Sequence, residues 1–228
     1  MSTVAAMASR NVRDTLTIAM EHAGEHAALV VADDRTELSR LLVRAYVESL
    51  PDARVISFDH VAPEAVKSAF EGLAPSALVV LIQSSVFRIP EFRIRVELYR
   101  RGIKVVEHSN LDRVGAEEIE HYVAALAYDP AYYRGVGHAL KERIDAARSA
   151  RIESDGETLR FESPLETAKL NIGHFEGLKN VGSQFPIGEV FTEARDLESV
   201  NGRVKIYGFT DTSFRLNVPP DPITLVVA

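Results

Sequence analysis

The sequence predicts an α/β protein, with a doubly wound parallel sheet followed by a smaller, β-rich domain or partial domain. Short, wholly apolar runs such as 27–32 and 77–82 alternate with segments of helical periodicity, as in parallel sheets covered on both faces. Beyond Ala150 the helical period disappears, and turn residues separate short β-type runs. We therefore expect an α/β domain with flanking helices over 1–148 and a β-rich segment over 149–228.

The elements of the first domain follow from these runs. The Asp33-Asp34 pair follows the first strand, and Asp34 with Glu37 has the form of a capping box, so we expect the acids to cap the next helix. Gly102 is expected to end the helix that precedes the fourth strand. The predicted helices are 4–24, one from Asp34, one from Pro63, 90–101, 117–127 and one from Asp129-Pro130, and the predicted strands are 27–32, 53–58, 77–83 and 103–106.

The second part contains one strong turn signal. Ser154-Asp155-Gly156 separates two β-type runs, 150–153 and 157–161, which predicts a β-hairpin. A stretch rich in Gly and Asn, 171–188, is predicted to be irregular. Short strands are expected near 189–192, 203–208 and 222–227.

Composition excludes several classes of protein. The 228 residues carry a formal net charge of −7, which repels phosphate backbones, so we expect no nucleic-acid partner. Wholly apolar runs such as 77–82 are too short to cross a bilayer, and the N-terminal residues 1–14 lack the apolar core of a signal peptide. Cysteine is absent, which excludes disulfides and thiolate metal sites. The sequence thus predicts a cytoplasmic protein without a membrane partner.

The ends of the predicted strands are the usual ligand positions of such a Rossmann-like sheet. A dinucleotide site requires a glycine-rich turn after the first strand, where this chain has Ala32-Asp33-Asp34-Arg35. A receiver domain requires an aspartate at the end of the third strand, where Ile82-Gln83-Ser84 stands instead. His108 follows the fourth strand; it is either a ligand or base, or, as we expect, a solvated loop residue.

Glu189 is the first candidate for a functional residue. It begins a short β-type run, Glu189-Val190-Phe191, directly after the turn signal Pro186-Ile187-Gly188. A glycine beside an acid lets the backbone pass close to a metal or substrate, and the turn fixes the direction of the carboxylate. The plain structural interpretation is the start of an edge strand.

A longer pattern around Glu189 resembles the aminopeptidase T family of thermophilic-type metallo-aminopeptidases. The pattern comprises Asn180, Pro186, Gly188-Glu189-Val190-Phe191-Thr192 and Val200-Asn201-Gly202. By this resemblance Glu189 corresponds to a metal-bridging glutamate, and the whole chain is similar to about the first half of a family member. No other catalytic residue is assigned.

The resemblance implies a metallopeptidase, a hydrolase that removes N-terminal residues from peptides with a water activated by Zn, Co or Mg. Where the family has Ala-Pro after the motif, this chain has Glu193-Ala194. The family's other ligands are glutamates, histidines and an aspartate that lie downstream of the matched part. Beyond residue 150, this chain offers His174 and the acids Glu176, Glu193, Asp196 and Glu198. The catalyst is therefore expected to be incomplete in this chain alone.

Two alternatives remain open at the level of the sequence. Ring-cleaving dihydroxypyridine dioxygenases, which use mononuclear Fe, resemble the same family, although an apolar residue stands at the position of Glu189 in that branch. The other alternative is a non-catalytic binding module that kept the fold. Because a half-built β domain exposes strand edges and apolar surface, we expect a homo-oligomer such as a dimer, or a partner chain.

Overall fold

The computed structural model describes residues 3–211 and 216–228, so Met1 and Ser2 of the N-terminal segment lie outside the described residues. It divides into two compact units, one of residues 1–134 with 171–188 and one of residues 135–170 with 189–228. The helices are α1 (Thr3–Asp14), α2 (Glu37–Ser49), α3 (Pro63–Glu71), α4 (Ile94–Arg100), α5 (Ile119–Ala125) and α6 (Pro130–Ala146). A π-helical turn, Thr15–Ala19, extends α1.

Thirteen strands are found in the described residues. They are β1 (Ala28–Ala32), β2 (Arg54–Ser57), β3 (Leu78–Ile82), β4 (Lys104–His108), β5 (Ala150–Ser154), β6 (Glu157–Phe161), β7 (Lys169–Asn171), β8 (Gly182–Gln184), β9 (Glu189–Phe191), β10 (Val200–Ile206), β11 (Phe209–Thr210), β12 (Leu216–Asn217) and β13 (Ile223–Val227). None of the helices within this part of the chain is both long and apolar enough to cross a membrane.

The first unit is built on a parallel five-stranded sheet in the order β2-β1-β3-β4-β8. Alternate residues of each strand face opposite layers: Val30 and Val80 contact the layer of α1, α2 and α5, whereas Val31 and Val79 contact the layer of α3 and α4. The sheet is therefore covered on both faces, and the predicted α/β fold class is confirmed.

The fifth strand of this sheet was missed by the sequence analysis. Strand β8 lies in the Gly- and Asn-rich stretch and pairs in parallel with β4, and Phe185 after it is buried in the core. Gly182 makes this pairing possible, because its φ is +127° and a Cβ there would lie 1.9 Å from the Val105 carbonyl oxygen. A glycine that permits close backbone approach was the available signal.

In the second unit, β13, β10, β6 and β5 form an antiparallel sheet in that order. Its β5–β6 hairpin turns at Asp155 and Gly156, both with positive φ, so the predicted hairpin is confirmed. The pairing registers place most apolar side chains on one face and most charged ones on the other. The apolar residues of the first face are Ala150, Ile152, Leu159, Phe161, Val200, Val204, Ile206, Ile223, Leu225 and Val227, and the same face also carries Ser154, Glu157 and Gly202.

Part of that apolar face is exposed to solvent. Ile152, Ile223 and Leu225 are 45–47% exposed, whereas Leu159 is buried. Antiparallel sheets normally bury their apolar face against another layer. The face is thus a surface of the second unit that is suited to contact with another apolar surface.

We predict that Gly182→Ala destabilises the first unit by about 3 kcal/mol, because the new Cβ collides with the Val105 carbonyl and the residue is forced to a strained φ. Urea unfolding of the variant and the wild type measures this difference. The matched control is Gly135→Ala, a position in α6 with no atom within 4 Å of the added Cβ, where stability should stay equal or rise. Equal unfolding midpoints for Gly182→Ala and the wild type would contradict the account of β8.

Candidate functional site

The carboxyl ends of β1 and β3 meet at the point where the strand order reverses, which is the usual ligand crevice of a doubly wound sheet. Here Asp33 is only 2% exposed and accepts hydrogen bonds from the backbone N and the Oγ of Ser84, both at 2.6 Å. The backbone N–H of Arg35 donates to the same carboxylate at 3.3 Å. The Asp33 side chain therefore lies between the two strand ends and links them.

The predicted helix cap is wrong in detail. Thr36, not the acid pair, caps α2: its Oγ1 accepts from the Ser39 backbone N at 3.0 Å, and the Ser39 hydroxyl accepts from the Thr36 N at 3.2 Å. Asp33 instead accepts hydrogen bonds from Ser84, because a buried carboxylate needs several hydrogen-bond donors. The helix consequently begins at Glu37, later than the sequence predicts.

Gln83 and Glu107 form a second buried pair at the ends of β3 and β4. The Gln83 amide donates to the Glu107 carboxylate at 2.8 Å and accepts from the Phe87 backbone N at 2.6 Å. Arg95 reaches the other carboxylate oxygen of Glu107 at 3.1 Å, and the Glu107 side chain is only 9% exposed. The buried charge is thus paired and hydrogen-bonded, and the loop after β3 is fixed at Phe87.

His108 is fully buried, so the expectation that it is a solvated loop residue is wrong. Its Nε2 lies 2.8 Å from the Tyr46 hydroxyl and its Nδ1 lies 2.9 Å from the Tyr122 hydroxyl. Since Tyr122 donates its single hydroxyl proton to the Phe185 carbonyl at 3.1 Å, Nδ1 must be the donor to Tyr122 and Nε2 the acceptor from Tyr46. The neutral imidazole therefore links α2, β4, α5 and the residue after β8.

Burial sets the protonation of this chain of hydrogen bonds. It lowers the pKa of His108 to about 3, because the imidazolium would be desolvated. Burial likewise raises the pKa values of Tyr46 and Tyr122, since their phenolates would lose water. All three groups are neutral near pH 7, and their role in this arrangement is structural.

A surface ion pair lies beside the crevice. The Arg35 guanidinium forms two hydrogen bonds with Asp59, that from Nε at 2.8 Å, and a third with the Ser85 hydroxyl at 3.0 Å. The hydrogen bond from Arg35 lowers the pKa of Asp59. Such a bidentate pair joins three strand ends at the surface, where it adds little stability because water screens the charges.

Glu189 is the first residue of β9, and its side chain is exposed. The preceding Gly188 has φ of +132°, and a Cβ there would lie 2.7 Å from the Tyr133 ring. Glycine is therefore required at position 188 because the Tyr133 ring, which belongs to the same unit as Gly188, packs against its backbone. Gly188 also donates its N–H to the Asn171 carbonyl at 2.9 Å, which fixes the turn before the carboxylate.

The other acids and the histidine of this region serve other contacts. His174 Nε2 lies 3.4 Å from Glu176, and Asp196 accepts from the Glu198 backbone N at 3.0 Å. Lys169 Nζ lies 3.8 Å from Glu193 and 5.9 Å from the centre of the Phe191 ring. Residues 3–211 and 216–228 contain no group of three His, Asp or Glu side chains that would hold a metal. A dinuclear site does not fit these residues by themselves.

Comparisons with known proteins give a similarity in structure and no match in sequence. No family model matches the sequence, and no curated protein matches it. Among solved structures, the chain is similar to wild-type AmpT from Thermus thermophilus, with a TM-score of 0.49 and 15% sequence identity. The match covers 88% of this chain and 64% of that chain, so this chain spans less than two thirds of its length. Similarity at this level identifies neither activity nor site.

We predict that the stability conferred by His108 falls as the pH falls below about 6.5. In the unfolded chain the imidazole binds a proton below that pH, whereas in the folded chain it stays neutral down to about pH 3. The stability advantage of the wild type over His108→Gln should shrink by about 1.4 kcal/mol per pH unit between pH 6 and pH 4. Urea unfolding at each pH measures it. The control is His60→Gln, which removes an exposed histidine of the same unit and is measured at the same pH values. A constant advantage of the wild type over His108→Gln would show that His108 is charged in the folded protein.

Proposed function

We propose that the chain is part of a metal-dependent aminopeptidase-like hydrolase, in which Glu189 supplies one carboxylate ligand to a divalent metal such as Zn, Co or Mg. The proposed reaction removes the N-terminal residue of a peptide with a metal-activated water. The observation that carries the proposal is the motif Gly188-Glu189-Val190-Phe191-Thr192, which places an exposed carboxylate at the start of a strand. Its resemblance to the aminopeptidase T family is the reason for naming this reaction.

Two features of the molecule favour a ligand role for Glu189. The turn before it is held by the Gly188–Asn171 hydrogen bond and by the Tyr133 ring, so the first residue of β9 has a defined position. Its side chain is accessible to solvent and therefore to a metal ion. The described residues supply one carboxylate and not the three or more ligands that a catalytic metal needs. We accordingly assign no step of the reaction to this chain alone.

A second copy of the chain is the partner that we propose. The apolar face of the β5–β6–β10–β13 sheet carries no Lys or Arg, and its exposed Ile and Leu side chains fit a second apolar face. Association through such faces removes apolar surface from water. A homodimer would also contain two Glu189 carboxylates in one assembly. We propose that this assembly lies in the cytoplasm.

A non-catalytic binding module is the second candidate. It is favoured by the absence, within residues 3–211 and 216–228, of any cluster of potential metal ligands. Thermal melting with and without millimolar Zn²⁺, Co²⁺ or Mg²⁺ separates the two candidates, because a metal that binds only the folded chain raises the melting temperature.

We predict that the purified chain retains about one divalent ion per chain after dialysis against Zn²⁺, and that Glu189→Gln removes it, since the amide keeps the shape of the side chain but loses the ionised ligand. Elemental analysis by mass spectrometry measures the metal. The matched control, Glu198→Gln, changes an exposed acid of the same unit and should leave the content unchanged. Equal metal content in the wild type and Glu189→Gln would contradict the ligand assignment, and no metal in either would favour the binding module.

We predict further that the chain is a dimer in solution and that Leu225→Glu converts it to monomers, because a carboxylate would be buried in the apolar contact. Size-exclusion chromatography with light scattering measures the mass. The control is Thr224→Glu, which lies on the opposite face of β13 and pairs with Lys205, where a carboxylate is favourable. A monomeric wild type, or equal masses for the two variants, would contradict the proposed contact.

A further inference from the structure

A cavity of about 640 Å³ opens in the first unit, beside the loop that joins β3 to α4. Cavities of this size are typical of small-molecule sites, which combine apolar walls with a few polar groups. The walls here include the buried side chains of Leu81, Phe87, Ile89 and Ile94. These side chains form an apolar surface against which an apolar group of a ligand can pack.

The mouth of the same cavity is positively charged. Its charged lining residues are three arginines, Arg88, Arg93 and Arg95, and two glutamates, Glu91 and Glu107. The lining thus has an excess of one positive charge, in a chain whose net charge is −7. Arg95 is engaged with Glu107 at 3.1 Å. The side chains of Arg88 and Arg93, in contrast, make no hydrogen bond or ion pair within residues 3–211 and 216–228. Two exposed guanidinium groups are therefore available to an anion at the edge of an apolar cavity.

The loop that carries these arginines is held in place. Phe87 is fixed at its backbone by Gln83 and at its ring by stacking on Phe58, with ring centres 4.0 Å apart. Phe92 stacks on Phe70 at 6.2 Å and lies 5.7 Å from Lys67 Nζ. A fixed loop loses little conformational entropy on binding, so this cavity is suited to a ligand without rearrangement.

We propose that this cavity binds a small organic anion, with its apolar body against Phe87 and Ile89 and its carboxylate or phosphate against Arg88 and Arg93. Guanidinium groups match the planar geometry of a carboxylate and the oxygens of a phosphate, and charge-assisted hydrogen bonds are the strong ones. The hydrogen-bonded pair Gln83–Glu107 is the polar part of the lining, where the Glu107 carboxylate can accept a hydrogen bond from a donor group of the ligand. The site is independent of Glu189 and of any metal.

Isothermal titration calorimetry with four probes tests the proposal. The probes are 4-phenylbutyrate, phenyl phosphate, the uncharged 4-phenylbutanol and inorganic phosphate. We expect one molecule of either aromatic anion per chain, with the uncharged alcohol and inorganic phosphate each at least about tenfold weaker. The tighter of the two aromatic anions identifies the head group as carboxylate or phosphate. Equal affinity for the alcohol, equal affinity for inorganic phosphate, or no binding of either aromatic anion at millimolar concentration would overturn the proposal.

Variants locate the binding in this cavity. Arg88→Ala with Arg93→Ala should weaken the aromatic anions at least about tenfold without loss of fold, because both side chains are exposed. Val86→Asp places a carboxylate at the exposed Val86 of the lining and should weaken them as well. The control Arg44→Ala changes an exposed arginine of α2 and should leave affinity unchanged. Affinity that is unchanged in the double variant, or equally reduced in Arg44→Ala, would overturn the assignment.

Discussion

The need to pair every buried polar group at the carboxyl edge of the parallel sheet governs the first unit. Asp33 and His108 are both nearly or fully buried, and each is satisfied by groups from other elements rather than by water. Asp33 links β1 to Ser84, two residues after β3, and His108 links β4 to α2 and α5. An unpaired buried polar group costs more than a hydrogen bond contributes, so these links fix how the strands and helices meet.

This constraint also decides where ligands are accepted. In a doubly wound sheet the crevice at the reversal of strand order is open to a ligand, whereas here the Asp33 carboxylate lies between the two strand ends and links them. Exposed charged groups lie elsewhere: Arg88 and Arg93 at the mouth of the cavity beside α4, and Glu189 at the start of β9 in the other unit. The candidates for function are therefore exposed side chains on well-held segments, outside the buried hydrogen bonds of Asp33 and His108.

The fold was predicted from the sequence where one pattern dominates. Wholly apolar runs identified β1 and β3, mostly apolar runs identified β2 and β4, and the Asp155-Gly156 turn identified the β5–β6 hairpin, because these signals are local. Strand β8 escaped because its pairing depends on a distant contact, the close approach of Gly182 to Val105. The burial of His108 escaped for the same reason, since its tyrosine partners lie 62 and 14 residues away. Of the candidate site, the sequence identified the motif around Glu189 and the turn before it. A single carboxylate does not indicate from sequence which other residues would complete a metal site.

We propose that Glu189 is one ligand of a metal ion whose other ligands come from other residues of an assembly. Crystals of the chain grown with Zn²⁺ and measured at the zinc absorption edge test it most directly, because anomalous scattering locates the ion without reference to activity. The account predicts a zinc peak about 2.0–2.2 Å from a Glu189 carboxylate oxygen, with further ligands from a second copy of the chain. Zinc bound only at other residues, or no anomalous peak at Glu189, would contradict it.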